Sequence, residues 1–397
     1  MPSDTLRFLF ASDLDPDRPI ELSAAVPGKH NRVLESATRR AISRLGTVCC
    51  ERDVEFLLIA GHGGDRCGTG ASGLHSLQTL ADQCAAINIP VIVLASDTAE
   101  SVAWQRVRDH LVVLDADSPG CTIDRADRPP ITIGRLDDHD PVESTGPRLG
   151  WTPLGQPPDR IDPTIARQLD FLAIAGTSAA QTTRSGRLVT HGPGPIVPFE
   201  TSAVGRGTAS LVTIDNVGPA TITPIVISDF ARVSHEVHLA PGDSQELAGG
   251  SLPGDMRKIL DNLPELPATD AGGLMLCQWD LVYAASAPPP PIADCLSLLD
   301  AASPPHWTHL IHTHPGPITP DAIGPEDTFA FDLARRLREA NVAEMDGLLS
   351  AVPARSVPDH QDAPGYDWTP GISGQDILST ARDLACRLLS DSDRRVA

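Results

Sequence analysis

The stretch Val54-Glu55-Phe56-Leu57-Leu58-Ile59-Ala60-Gly61-His62-Gly63-Gly64-Asp65 limits the possible folds more than any other part of the chain. Its apolar run has no polar alternation and stops abruptly at glycines that carry a His and an Asp. A short strand without a polar face is buried on both sides, as strands are in α/β sheets covered by helices. In such sheets chemistry sits where strands end and loops begin. The polar residues after Gly61 therefore mark the place to look for function.

The flanking sequence repeats the pattern. Residues 6–11 form a first buried strand that runs into the acidic turn Ser12-Asp13-Leu14-Asp15-Pro16-Asp17. Residues 33–52 place Leu34, Ala37, Ala41, Leu45, Val48 and Cys49 at helical spacing, which predicts an amphipathic helix. A second helix carries Leu74, Leu77, Leu80, Cys84 and Ile87 on one face, and residues 90–95 form the next strand before Ser96-Asp97-Thr98. This β-α-β-α-β order argues for a mainly parallel sheet with helices on its faces, an α/β fold.

Beyond it, residues 117–163 are rich in Pro, Asp and Gly and read as loop-dominated, with 131–135 as a strand inside them. Residues 169–175 are strand-like, and 188–240 turn β-rich, with segments at 210–215, 221–228 and 233–239. The expected organisation is a first domain over 1–245, a linker over 246–270 with one short helix, and a C-terminal α/β cap domain over 271–397. Strands near 274–284 and 307–313 and helices near 292–301, 326–341 and 374–390 would build that cap. A Pro-rich stretch separates the last two helices.

Composition narrows the function. The formal net charge is −21, and Lys29 and Lys258 are the only lysines. Nucleic-acid binders neutralise phosphates with a basic surface, so this balance argues against tight DNA binding by the chain alone. Met1-Pro2-Ser3-Asp4 leads straight into the first strand without a signal peptide, and no apolar run reaches membrane-spanning length. The 8 cysteines include no CxxC pair; Cys49-Cys50 are adjacent, and Cys84 and Cys386 fall on apolar helical positions. They read as reduced, buried thiols of a cytoplasmic protein.

Taken in order, these strand ends resemble the calcineurin-like metallophosphoesterases, and among them the SbcD/Mre11-type DNA exonuclease subunits of the YhaO-like branch. Phe8-Leu9-Phe10-Ala11-Ser12-Asp13-Leu14 matches that family's opening strand, which continues into Asp-x-His. Residues 56–61 match the strand before its Gly-Asp motif, and 91–95 the strand before Gly-Asn-His-Asp. Ile131-Thr132-Ile133-Gly134-Arg135 is similar to its hydrophobic-x-Gly-Arg strand, and Leu169-Asp170-Phe171-Leu172-Ala173 to the strand before Gly-His-x-His. Gly192-Pro193-Gly194 followed by Glu200 is similar to its Tyr-Pro-Gly segment. The resemblance implies a sandwich of two mixed sheets flanked by helices, followed by the small α/β cap.

It also implies a site, and here the chain departs from the pattern. The family's enzymes hold two divalent metals about 3.5–4 Å apart, bridged by an Asp, to activate a water. Asp13 keeps the first ligand position, but the His two residues on is Asp15. The bridging Asp is His62, whose ligating nitrogen offers a single lone pair and cannot bridge two cations. The Asn-His pair falls on Ser96-Asp97, the next His on Trp151, and Gly-His-x-His on Ala175-Gly176-Thr177-Ser178. Trp151, Gly176 and Ser178 are thus degenerate positions, and no catalytic residue is expected.

Losing the ligands at the strand tips while keeping the strands is the signature of a pseudoenzyme. The resemblance implies a structural or regulatory partner of an SMC/Rad50-like ATPase, meeting DNA weakly or through that partner. Because the parent enzymes are dimeric, a homodimer is one implied assembly. The expected cofactor is none, or at most one divalent cation (Mn or Mg) on Asp13, Asp15, His62 and Asp97. The alternative is a divergent metal-dependent phosphoesterase or DNA exonuclease that works with that single ion. Against both stands the plain reading of these four as solvated loop residues.

Other clusters weigh less. His306, His309, His312 and His314 would put His312 and His314 on one face of a strand, but no Cys accompanies them. Gly61 to Gly70 has five glycines yet lacks both the Lys-Ser/Thr of a P-loop and GxGxxG spacing. Asp137-Asp138-His139-Asp140 reads as a solvated turn, and Cys67, close to His62, as a reactive thiol or, more simply, a buried or inert one.

Overall fold

In the computed structural model the described residues are 5–315, except 23–27, 62–70, 96–97, 108–110, 116, 119, 137–145, 153–162, 176–178, 201–202, 216–217, 241, 264–272, 285–288 and 305–306. The chain divides into two compact units. One comprises Met1–His235, Asn262–Gln278 and Asp300–Leu310, the other Glu236–Asp261, Trp279–Leu299 and Ile311–Ala397.

The first unit opens with four parallel strands joined by helices: β1 (Leu6–Ser12), α1 (Gly28–Glu51), β2 (Phe56–Ala60), α2 (Ala71–Ala86), β3 (Val91–Leu94), α3 (Thr98–Gln105) and β4 (Leu111–Leu114). A second sheet follows, built from β5 (Gly120–Arg125), β6 (Arg128–Arg135), β7 (Arg148–Thr152), β8 (Phe171–Ile174), β9 (Gln181–Ser185) and β10 (Leu188–Gly192), with the single turn α4 (Pro163–Ala166) before β8. Its strand order is β5-β6-β7-β8-β10-β9. The chain then returns to the first sheet through β11 (Gly205–Ile214), antiparallel to β1, and β12 (Thr221–His238). After α5 (Asp243–Ala248) and α6 (Gly254–Asp261) come β13 (Leu274–Tyr283), α7 (Ile292–Ala302) and β14 (Trp307–Pro315). The first sheet reads β14-β13-β12-β11-β1-β2-β3-β4. The fold is α/β, with two mixed sheets and flanking helices.

Strand alternation explains why two layers form. Leu9, Ala11, Leu57, Ile59, Val91 and Val93 point to the helix side, where they meet Leu45, Val48, Leu77 and Leu80. Phe8, Phe10, Phe56, Leu58, Ile92 and Leu94 point the other way and meet Ile131, Ile133, Leu149, Trp151 and Phe171 of the second sheet. Side chains of period 2 thus feed two cores from one apolar run, which is why the run shows no polar face. Phe8 stacks on Phe56 at 4.7 Å between ring centroids and meets Phe171 edge-on at 5.4 Å, so aromatic contacts tie the sheets together.

One polar tie crosses the same core. Buried His191 on β10 is hydrogen-bonded through Nε2 to Ser210 Oγ on β11 and through Nδ1 to Thr182 Oγ1 on β9, both at 2.8 Å. Burial pushes its pKa down to about 4, only partly opposed by a backbone hydrogen bond at Gln181. The imidazole therefore stays neutral and acts as a linker between the sheets.

Several local expectations change. Among the described residues of 117–163 strands prevail over loop: β5, β6 and β7 lie there, and Pro and Gly occur within or beside these strands of the second sheet. The segments at 221–228 and 233–239 are one continuous strand, β12. The 246–270 region holds α6 complete and the end of α5, not one helix. Cys50 is exposed, while Cys49 and Cys84 are buried on facing sides of α1 and α2. Their mutual hydrogen bond, and then burial, push the Cys49 thiol up. The helices near 326–341 and 374–390 lie outside the described residues. Among the described residues no helix is long and apolar enough to cross a membrane.

Candidate functional site

The parallel strands finish in step: Ser12 pairs with Ala60 and Ala60 with Leu94, so the chain leaves β1, β2 and β3 at one edge of the sheet. Asp13 is the first residue past β1. It adopts φ 58, in the left-handed region that Asp tolerates better than most residues, and its N–H donates to Ala60 O at 3.4 Å. The turn aims its carboxylate inward, and Asp13 is only 6% exposed. A carboxylate that deep is stable only beside a cation or several donors.

The cation is Arg18, five residues on. Its Nη1 meets Asp13 Oδ2 at 2.9 Å and its Nη2 meets Glu200 Oε1 at 3.0 Å. The guanidinium side chain is 6% exposed, Asp13's 9% and Glu200's 43%, so one cation joins an inner carboxylate to an outer one. The Phe199 ring lies 4.8 Å from Arg18 Cζ and backs the guanidinium with its π face. The 14–22 loop is anchored further by the Glu21 N–H donating to Phe199 O at 2.8 Å, and by fully buried Arg232 of β12, whose Nη2 donates to Glu21 O.

The partner segment is held just as firmly. Ser12 Oγ donates to Gly194 O at 2.8 Å, and the Ile196 N–H donates to Ser12 O at 3.3 Å. Gly207 of β11 passes so close that an added Cβ would lie 1.6 Å from Ile196 O. Glycine is required there for close approach of two backbones, which fixes Phe199 and Glu200 relative to Asp13.

The expected metal residues divide as follows. Asp13 is paired with Arg18. Asp15 is half-buried, and its Oδ1 accepts the Asp17 N–H at 3.2 Å, closing an Asx turn. His62 and Asp97 lie outside the described residues, as do Gly176, Ser178, Cys67, His306 and the 137–140 turn. Trp151 is described: it lies on β7 at 1% exposure, inside the inter-sheet core and 5.8 Å from Arg135 Cζ. Among the described residues no group of three or more His, Cys, Asp or Glu is placed to hold a metal ion. Of the described positions, the Asp13 carboxylate is paired with a guanidinium and Trp151 belongs to the core, so neither is presented as a free metal ligand.

Sequence reasoning passed over Arg18. An arginine in an acidic Pro-containing turn reads as a solvated side chain. The signal was available in Asp13-Leu14-Asp15-Pro16-Asp17-Arg18, where a tight turn brings residue 18 back over residue 13.

In the histidine cluster, His309 is buried and hydrogen-bonded to Ser303 Oγ at 2.9 Å, and burial pushes its pKa down to about 4 against the pull of Asp300. His312 is half-buried and His314 exposed. At the opposite edge, where β1 to β3 begin, a cavity of about 940 Å³ is lined by Arg7, Cys50, Asp53, Glu55, Arg125 and Arg128 among others. Glu55 anchors it, gripped by Arg125 at 2.6 Å and 2.9 Å and by Arg128 at 3.4 Å.

No family model matches the sequence, and no curated protein matches it. Among solved structures the chain is similar to GAP50, the anchor in the inner membrane complex of Plasmodium, at 8% identity and a TM-score of 0.33, over 56% of this chain and 85% of that one. It is similar to a Streptococcus pneumoniae protein described as a predicted phosphoesterase, at 11% identity and a TM-score of 0.25, over 56% and 98%. A third is Vps29 of Entamoeba histolytica, solved with zinc, at 13% identity and a TM-score of 0.23, over 56% and 100%.

Proposed function

We propose that this chain is a catalytically inactive protein of the calcineurin-like metallophosphoesterase kind, related to the DNA repair exonuclease subunits of SbcD/Mre11 type. In this reading it serves as the structural or regulatory partner of an SMC/Rad50-like ATPase. The observation that carries the inactive reading is the Arg18–Asp13 ion pair. Asp13 is the one position where the chain keeps the resembled ligand, and its carboxylate neutralises an arginine instead. A net charge of −21 favours a protein partner over nucleic acid.

The test is hydrolysis of a phosphodiester by purified protein with Mn²⁺ or Mg²⁺, with Asp13→Ala beside it. The expected result is no turnover above buffer in either. Turnover by the wild type that disappears in Asp13→Ala would overturn the reading and establish the single-ion enzyme. Co-purification with an SMC-type ATPase tests the partnership, and failure to co-purify at micromolar concentration counts against it.

A further inference from the structure

We propose that Cys49 and Cys84 form an oxidisable dithiol site, which a hydroperoxide converts to a disulfide joining α1 to α2. The inference is independent of the functional reading above. Three observations carry it. First, the two helices end in the same way. The Val54 N–H donates to Cys49 O and the Asp53 N–H to Cys50 O, while the Ile89 N–H donates to Cys84 O and the Asn88 N–H to Ala85 O. Asp53 and Asn88 both hold the left-handed conformation, at φ 50 and φ 56. These are two copies of the Schellman cap, and each cysteine fills the same position in its copy. Second, the two caps lie together. β1, β2 and β3 are parallel neighbours, so both crossover helices run back along the sheet, and Cys49 and Cys84 sit fully buried in the core on its helix side. Their thiols are hydrogen-bonded to each other. The helices approach so closely here that a Cβ added to Gly46 would collide with Gln83 Oε1. Third, both helix ends open on the cavity of about 940 Å³, where Cys49, Cys50, Asp53, Ile87, Asn88 and Ile89 are among its lining, and this gives a small oxidant a path toward the pair.

Thiols already in hydrogen-bond contact need only a side-chain rotation and a small shift of two helix ends to reach bonding geometry. Cys49 donates its S–H to Cys84, which favours the thiolate at Cys84 against the opposing effect of burial. The Cys84 sulfur attacks the peroxide: the O–O bond breaks, an S–O bond forms, and the rest of the hydroperoxide leaves as an alcohol, or as water when hydrogen peroxide is the oxidant. The Cys49 sulfur then attacks the sulfenic acid: the S–S bond forms, the S–O bond breaks, and the hydroxyl leaves as water with the Cys49 proton. Two thiols lose two hydrogens and two electrons, and the hydroperoxide takes them up. Exposed Cys50 cannot replace Cys49, because adjacent positions on a helix face different directions. The disulfide closes a loop around β2, so oxidation braces that strand between its two helices.

The experiment treats the native full chain with hydrogen peroxide, blocks the remaining thiols, and maps linked peptides without reduction. Thermal unfolding is followed before treatment, after it, and after dithiothreitol. The proteins are wild type, Cys50→Ser, and Cys50→Ser combined with Cys49→Ala or Cys84→Ala. In wild type and Cys50→Ser alike, Cys49 and Cys84 are expected to be joined. Their unfolding temperature should rise by about 5 °C or more, and dithiothreitol should reverse the rise. Neither alanine variant should show the link or the rise. If an alanine variant does not fold, the peptide map of Cys50→Ser decides alone.

Oxidation confined to Cys50, with Cys49 and Cys84 still reduced, would overturn the inference. So would oxidation of Cys49 or Cys84 to sulfinic acid without a link, or a rise in unfolding temperature that survives Cys84→Ala. None of these outcomes depends on hydrolysis or on a metal ion, so turnover by the wild type would sink the functional reading separately.

Discussion

Acidification tests the inter-sheet core through His191. The unfolded imidazole takes up its proton near its ordinary value of 6.5, whereas burial delays protonation of the folded one to about 4. A depressed folded pKa means that this contribution is fully present above 6.5, erodes as pH falls through that value, and is exhausted near 4. Between about pH 7 and about pH 5 the unfolded chain gains a proton that the folded chain refuses, which costs about 2 kcal/mol for this one histidine. The proton is disfavoured because burial inside the sandwich withholds water from the charged imidazolium. The assay is urea unfolding of wild type and His191→Gln at both pH values. The variant starts less stable but should lose about 2 kcal/mol less on acidification, since glutamine has no proton to take. Other carboxylates and histidines titrate in both proteins and cancel in the difference. Equal losses in the two proteins, or an imidazole resonance of His191 titrating near its ordinary value, would refute the reasoning.

Two further expectations concern packing. Trp151→Ala removes a fully buried indole from between the sheets and should cost about 3–5 kcal/mol, measured as a drop in unfolding midpoint; a cost under about 1 kcal/mol would mean that the indole is not core. Gly207→Ala drives a methyl into Ile196 O, and the forced shift should cost on the order of 3 kcal/mol while loosening the Glu200 segment; an unchanged midpoint would contradict the close approach.

The apolar strands were legible because burial on both faces leaves no alternative for runs such as Phe56-Leu57-Leu58-Ile59-Ala60. The second sheet was harder to read. β5 alternates between exposed and half-buried residues over Gly120–Arg125, and β7 is a mere five residues containing Gly150, so neither forms a window long enough to outweigh the prolines around them. Gly150 itself faces Leu169 and Leu172, a packing reason that local sequence does not reveal. Of the site, the position of Asp13 followed from its place after a buried strand. Its pairing did not, because Arg18 and Glu200 meet through a turn and a long-range contact separated by 182 residues. Which of several carboxylates an arginine chooses is decided by tertiary geometry.

The first strand has one further consequence, for how the chain is made. β1 lies inside its sheet, between β2 and β11. β2 emerges from the ribosome soon after it, but β11, which pairs Leu6 with Ile214 and Phe10 with Ser210, comes much later. At ordinary translation rates the roughly 150 intervening residues take some ten to thirty seconds to synthesise. Throughout that interval the N–H and C=O groups on one side of Leu6–Ser12 have no strand to pair with, and its phenyl rings stay uncovered until β6 to β8 of the second sheet emerge partway through it. A nascent chain built this way depends on its early helices, or on a chaperone, to shield its first strand until the late one arrives.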